Sequence, residues 1–146
     1  METLDGKESR AQELLEKCVE LAPDFYWGWH DLSEISAQLG HFEVAIDEIL
    51  EAAEHATEDY LKGHFYSKAA MHASKNNDET RRKEFAAKTL EFDKDFVNQL
   101  IESVKTEQKE GGDIDIKRTK EILLAVAPRN LMALDFIKKH EGQDNQ

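Results

Sequence analysis

The stretch Tyr26–Asp59, YWGWHDLSEISAQLGHFEVAIDEILEAAEHATED, decides the fold class. Trp29, Leu32, Ser36 and Leu39 step by three and four, which places them on one face of a helix, and Gly40 ends that helix. Phe42, Ala45, Ile46, Ile49, Ala52 and Ala53 repeat the spacing at once. Two amphipathic helices joined by a glycine turn predict a helical hairpin.

The same spacing continues on both sides. Ala11, Leu14, Leu15, Cys18, Val19 and Ala22 predict a helix over about 8–22 that stops at Pro23. Tyr66, Ala69, Ala70 and Ala73 predict another, ended near Asn76-Asn77. Phe85, Ala86, Thr89, Leu90 and Phe92 follow, then Val97, Leu100, Ile101 and Val104 before Gly111-Gly112. Ile116, Leu123, Leu124 and Val126 form a stripe closed by Pro128, and Leu131, Leu134 and Ile137 begin the last one. No useful period-two segment appears, and Pro23 and Pro128 are the only prolines. The expectation is an all-α chain of seven or eight short helices.

Composition narrows the function. A length of 146 residues suits one domain, and 40% apolar content is too high for a disordered acidic tail. The net charge of −12 argues against nucleic acid and anionic lipid as partners, since both require Lys and Arg in excess. The longest strictly apolar run, Ile122 to Ala127, is six residues, so no membrane span is predicted. The opening METLDGKESR predicts no secretory signal, and the single cysteine fits a cytoplasmic protein.

The helix breakers are periodic. Gly6, Gly40, Asn77 and Gly111 are separated by 34, 37 and 34 residues, and so are Pro23, Thr57, Lys94 and Pro128. One three-residue insertion at Tyr60–Lys62 accounts for both longer intervals. Gly and Asn are the residues that tolerate the left-handed conformation at a helix C-terminus.

A 34-residue period of two helices and two turns resembles the tetratricopeptide repeat (TPR) family. In Tyr26–Asp59 the matching residues are Trp29, Leu32, Gly40, Phe42, Ala45, Ile46, Ile49 and Ala52, with departures at Ser33, Ser36 and Thr57. The resemblance implies a right-handed superhelix (an α-solenoid) of antiparallel helix pairs. It divides the chain into a half-repeat at 1–25, repeats at 26–62, 63–96 and 97–130, and a capping helix with a polar tail at 131–146. In that frame Arg82, Ile116 and Lys120 fall in slots that prefer other residues. The abrupt start at Met1–Asp5 favours an excised or partial array over a natural cap.

The resemblance also implies a concave face lined by the first helix of each pair. Its residues here would be Trp27, His30, Glu34, His64, Ser67, Met71, Asn98, Ile101 and Lys105; the simpler reading of each is an exposed helix residue. Trp27, Met71 and Ile101 favour a peptide groove, because aromatic and Met side chains suit interface centres. The chaperone-tail clamp of one TPR subclass is not matched: its places hold His30, Glu34, His64, Ser67 and Lys68, of which only Lys68 is basic.

No catalytic, cofactor or metal site is predicted. The six histidines form no i, i+4 pair. Asp113-Ile114-Asp115 lacks the other ligands of a calcium loop, and a helix N-cap is the better account. Cys18 sits in a small-residue slot as a packed thiol. Arg81-Arg82-Lys83 and Lys117-Arg118 are expected to be solvated and paired locally with Glu79, Glu84 or Asp115. The expected function is a non-catalytic protein–protein interaction module, a scaffold or adaptor, that takes a partner segment with basic residues. The alternatives are self-association through the open N-terminal half-repeat, a regulatory or substrate-positioning domain of a larger enzyme, and a small acidic TPR chaperone.

Overall fold

Three turns share one geometry in the computed structural model, which describes residues 6–112 and 115–142, with side chains from Arg10 onward. Gly40, Asn77 and Gly111 have φ of +80°, +57° and +76°. After each, an amide returns to the carbonyl five residues back: His41 to Ser36 at 2.9 Å, Asp78 to Ala73 at 2.9 Å, and Gly112 to Glu107 at 2.7 Å. This closure satisfies the carbonyls a helix end leaves free. Gly6, counted with them in the sequence, opens the first helix instead. Met1–Asp5, Asp113 and Ile114 of the segment weighed as a calcium loop or an N-cap, and the tail 143–146 lie outside the described residues.

The described residues form eight helices and no strand. They are α1 (Gly6–Leu21), α2 (Tyr26–Gln38), α3 (Phe42–His55), α4 (Asp59–Lys75), α5 (Glu79–Phe92), α6 (Phe96–Lys109), α7 (Ile116–Val126) and α8 (Leu131–Lys139). Side chains of Asp78, Asp115 and Asn130 cap α5, α7 and α8 by accepting from the amides of Arg81, Arg118 and Ala133. The cap expected at Asp115 is therefore in place, 2.8 Å from its donor.

Helices α2 with α3 and α4 with α5 make the two hairpins, and α3 joins them by packing on α4. Helix α1 rests on α2, while α8 rests on α6 and α7. Helix α7 packs on both α4 and α5. The consequence is that α4 is enclosed: Leu61, Gly63, Phe65 and every residue from Ser67 to Ala73 are buried. Its sequence pattern suggested a single apolar stripe, but a helix with neighbours on several sides buries polar residues too. Ile46, Ile49, Phe65 and Leu123 fill the centre with essentially no exposure, each contributing about 1.5–3 kcal/mol by removal from water.

Long-range polar contacts tie the helices together. Asn76 and Arg81 both donate to the carboxylate of Glu43, at 2.7 and 3.0 Å. Arg82 is buried: its guanidinium grips both carboxylate oxygens of Glu79 and donates to the Ala125 carbonyl near the end of α7. The expected local pairing of Arg82 with Glu79 is present, but in a buried side chain rather than a solvated one. Two expectations are corrected: Arg81 pairs with α3 rather than locally, and Leu124 faces solvent, because Thr119, Ile122, Leu123 and Val126 form the buried arc of α7. Lys120 donates to the His140 carbonyl at 3.1 Å.

Candidate functional site

Helices α2 and α4 lie side by side, and α7 treats the two halves of their shared face differently. Over the C-terminal halves α7 closes it. Arg118 Nη2 donates to both oxygens of Glu34, and Lys68 Nζ stands 3.8 Å from the same carboxylate. Burial alone would raise the Glu34 pKa, but Lys68 and Arg118 outweigh it and hold the carboxyl below its ordinary value. Burial lowers the Lys68 ammonium to about 8. Beside them, burial lowers His72 to about 4, so it is neutral at neutral pH.

The tautomer of His72 follows from its neighbours. Ser33 donates its one hydroxyl proton to the Ala45 carbonyl at 2.8 Å. The 3.1 Å contact between Ser33 Oγ and His72 Nε2 then needs the proton of Nε2–H, so Nδ1 carries the bare lone pair.

Over the N-terminal halves the face stays open. A cleft of about 450 Å³ is lined by Trp27 of α2, by Tyr60, Leu61 and His64 of α4, by Asp93, and by Phe96, Gln99 and Leu100 of α6. Trp27 and Tyr60 remain 39% and 56% exposed, enough to meet an incoming side chain. A chain of rings supports the floor. Trp27 and Phe65 meet edge-on with centroids 5.3 Å apart, and His30 stacks on His64 at 6.1 Å. Burial, with the Lys68 ammonium adding to it, lowers His64 to about 4. Asp93 gives the lining a carboxylate, and in sequence Glu58 and Asp59 precede Tyr60 while Lys94 and Asp95 lie between Asp93 and Phe96, an acidic balance next to the lining residues.

The structure brings Trp27 and His64 to this cleft, and His30 does not line it but packs against both of their rings. It sends the other predicted residues elsewhere. Ser67 and Met71 are buried, while Glu34 is half-buried and held by Arg118; the expectation of a solvated Met71 is corrected, since it is 3% exposed, on an enclosed helix beside the pair of Glu34 and Arg118. Ile101 is likewise 4% exposed; with exposed Lys105 it borders a separate cleft between α6 and α8, where Phe136 covers it. Asn98 opens on a third depression, with Val97 and Asn130. Arg118, expected to pair locally, reaches Glu34 on α2 because α7 crosses that face.

Tyr60, Leu61, Asp93, Phe96, Gln99 and Leu100 are the cleft residues that sequence reasoning missed. One signal was available: the spacing expects a three-residue insertion at Tyr60–Lys62, and in a repeat array an insertion would fall on one face, often the binding face. No helix among the described residues is long and apolar enough to cross a membrane, and none of them cluster as metal ligands. No protein-family model matches the chain, and no curated protein matches it.

Proposed function

We propose that the chain is a TPR-like helical-repeat module that works without catalysis, in the cytoplasm, by holding a segment of a partner protein. The turn geometry repeated at Gly40, Asn77 and Gly111 supports the repeat reading. The binding surface is the open N-terminal part of the face that α2 and α4 share, not its whole length, because Arg118 of α7 reaches across the rest to Glu34. The observation that carries the reading is the cleft of about 450 Å³ with Trp27 and Tyr60 at its mouth. Concave sites of that size, walled by aromatic and aliphatic side chains with few polar groups, take an apolar anchor. Tyr and Trp are the side chains most often found to dominate such contacts. The Asp93 carboxylate, with the acidic balance next to the lining residues, favours basic residues flanking the anchor.

Affinity capture with the wild type and with Trp27→Ala/Tyr60→Ala tests this. The double variant should recover the wild-type partner at least about tenfold less well, while Val44→Ala, at an exposed position on α3, should match the wild type. Undiminished recovery by the double variant would refute the cleft as the binding surface.

A further inference from the structure

The cleft between α2, α4 and α6 contains a carboxylate without a counter-charge. Asp93 lines it, and its side chain accepts no hydrogen bond and joins no ion pair among the described residues. By contrast Glu34, Glu43 and Glu79 are each held by an arginine. The cations nearest in sequence are committed elsewhere. Lys62 donates to the Ala53 carbonyl at 2.9 Å, and Lys94 opens on the separate depression beside Val97 and Asn130. His64, also in the lining, is held neutral at neutral pH by burial, which lowers it to about 4. The remaining walls are aromatic and aliphatic: Trp27, Tyr60 and Phe96 with Leu61 and Leu100, and Gln99 as the polar exception. Trp27 and Tyr60 keep much of their ring surface open. A purely apolar occupant would strip water from Asp93 and return nothing to it. A cation with flat, weakly hydrated faces suits both the rings and the carboxylate.

We propose, taking the cleft as the binding surface, that what enters it is an arginine side chain of the partner segment. The guanidinium presents paired N–H groups to the two oxygens of Asp93 and has others left for the carboxamide oxygen of Gln99. Its plane lies on the electron-rich faces of Trp27 or Tyr60, and the methylene stem meets Leu61 and Leu100. Lysine carries the same charge as a compact, strongly hydrated point, so it loses more water on entry and gains less from the rings.

Titration of the whole chain with the Nα-acetyl amides of arginine, citrulline, lysine and norleucine, at matched ionic strength, tests this. The signal followed is the NMR resonance of the Trp27 indole N–H, identified by its loss in Trp27→Phe. Citrulline keeps the shape of arginine and replaces the guanidinium with a neutral urea. The arginine amide should move the resonance with a Kd of about 1 mM, and the citrulline and norleucine amides should bind about tenfold more weakly. The lysine amide should fall between them. Asp93→Asn removes the charge at a side chain that holds nothing in the fold, so its melting temperature should match the wild type. It should lower the arginine amide to the level of citrulline and leave citrulline unchanged. Citrulline or norleucine binding as tightly as arginine, or arginine unaffected by Asp93→Asn, would overturn the proposal and leave the cleft as a plain apolar site. Lysine matching arginine would also overturn it, in favour of a site for any cation. A Trp27 resonance that no amide moves would overturn the cleft and its occupant together.

Discussion

Arg118 on α7 donates from one guanidinium nitrogen to both carboxylate oxygens of Glu34 on α2, at 2.7 and 2.6 Å, across 84 residues of sequence. Lys68 of α4 completes the set at 3.8 Å, so one carboxylate sits between two cations from different helices. The three charges are therefore not equivalent. Glu34→Gln leaves Lys68 and Arg118 facing each other without a counter-charge, and should cost about 2–4 kcal/mol. Arg118→Gln leaves Glu34 with Lys68 and should cost about 1 kcal/mol. Adding Lys68→Met to Glu34→Gln should recover part of the loss. Urea midpoints at constant slope check the order; equal midpoints for the two single variants would mean that Glu34 does not organise the group.

Histidine burial sets the acid limit of the fold. His64 and His72 have folded pKa values of about 4, below the ordinary 6.5. Between those values the unfolded chain binds more protons than the folded one, so stability is full above about 6.5 and is lost as pH falls toward 4. Each histidine contributes up to about 1.4 kcal/mol of loss per pH unit inside that window. Between pH 6.5 and 5 most carboxylates are still ionised, which isolates the histidine contribution. His72→Gln should flatten the slope of unfolding free energy against pH there by about one proton. Lys68 acts in the opposite range: its folded pKa of about 8 lies below the ordinary 10.5, so deprotonation relieves its burial cost as pH rises from 8 to 10.5. A slope unchanged by His72→Gln would show that His72 takes up a proton without resistance.

What was legible in the sequence is what is local. A left-handed residue at a helix end needs only Gly or Asn in the right place, and Gly40, Asn77 and Gly111 were found by their spacing. A cap such as Asp115 needs only the amide three residues on. Whether a charge is solvated depends instead on which helix crosses it. Arg118 reads as a locally paired surface charge and Glu34 as a groove residue, because nothing in a short window encodes a contact spanning 84 residues. Met71 and Ile101 read as groove residues for the same reason: Arg118 of α7 and Phe136 of α8, which lie beside them, are 47 and 35 residues further along the chain. Where the spacing expects a three-residue insertion, Tyr60–Lys62 lie in the first turn of α4, a helix of 17 residues against 13 and 14 in α2 and α3, and Tyr60 and Leu61 reach the cleft rather than a loop.

Gly63 links the packing of α4 to the shape of that cleft. A β-carbon at this position would lie 2.9 Å from Asp93 Cβ and 3.3 Å from the Thr89 carbonyl oxygen, both at the end of α5. The first distance is too short to persist, and neither contact is with a flexible side-chain tip, so α4 and α5 must separate. Overpacking of this kind typically costs about 1–3 kcal/mol. The helix propensity gained by replacing Gly offsets it by about 0.5–1 kcal/mol, so Gly63→Ala should lower stability by about 1–2 kcal/mol. Asp93 also lines the cleft, so the movement should reach the binding surface. Gly63→Ala is then expected to weaken capture of the partner as well as lower the melting temperature. Ala87→Gly, at an exposed position within α5, should cost about 1 kcal/mol and leave capture intact. Equal capture by Gly63→Ala and wild type, together with a lowered melting temperature, would separate the α4–α5 contact from the cleft.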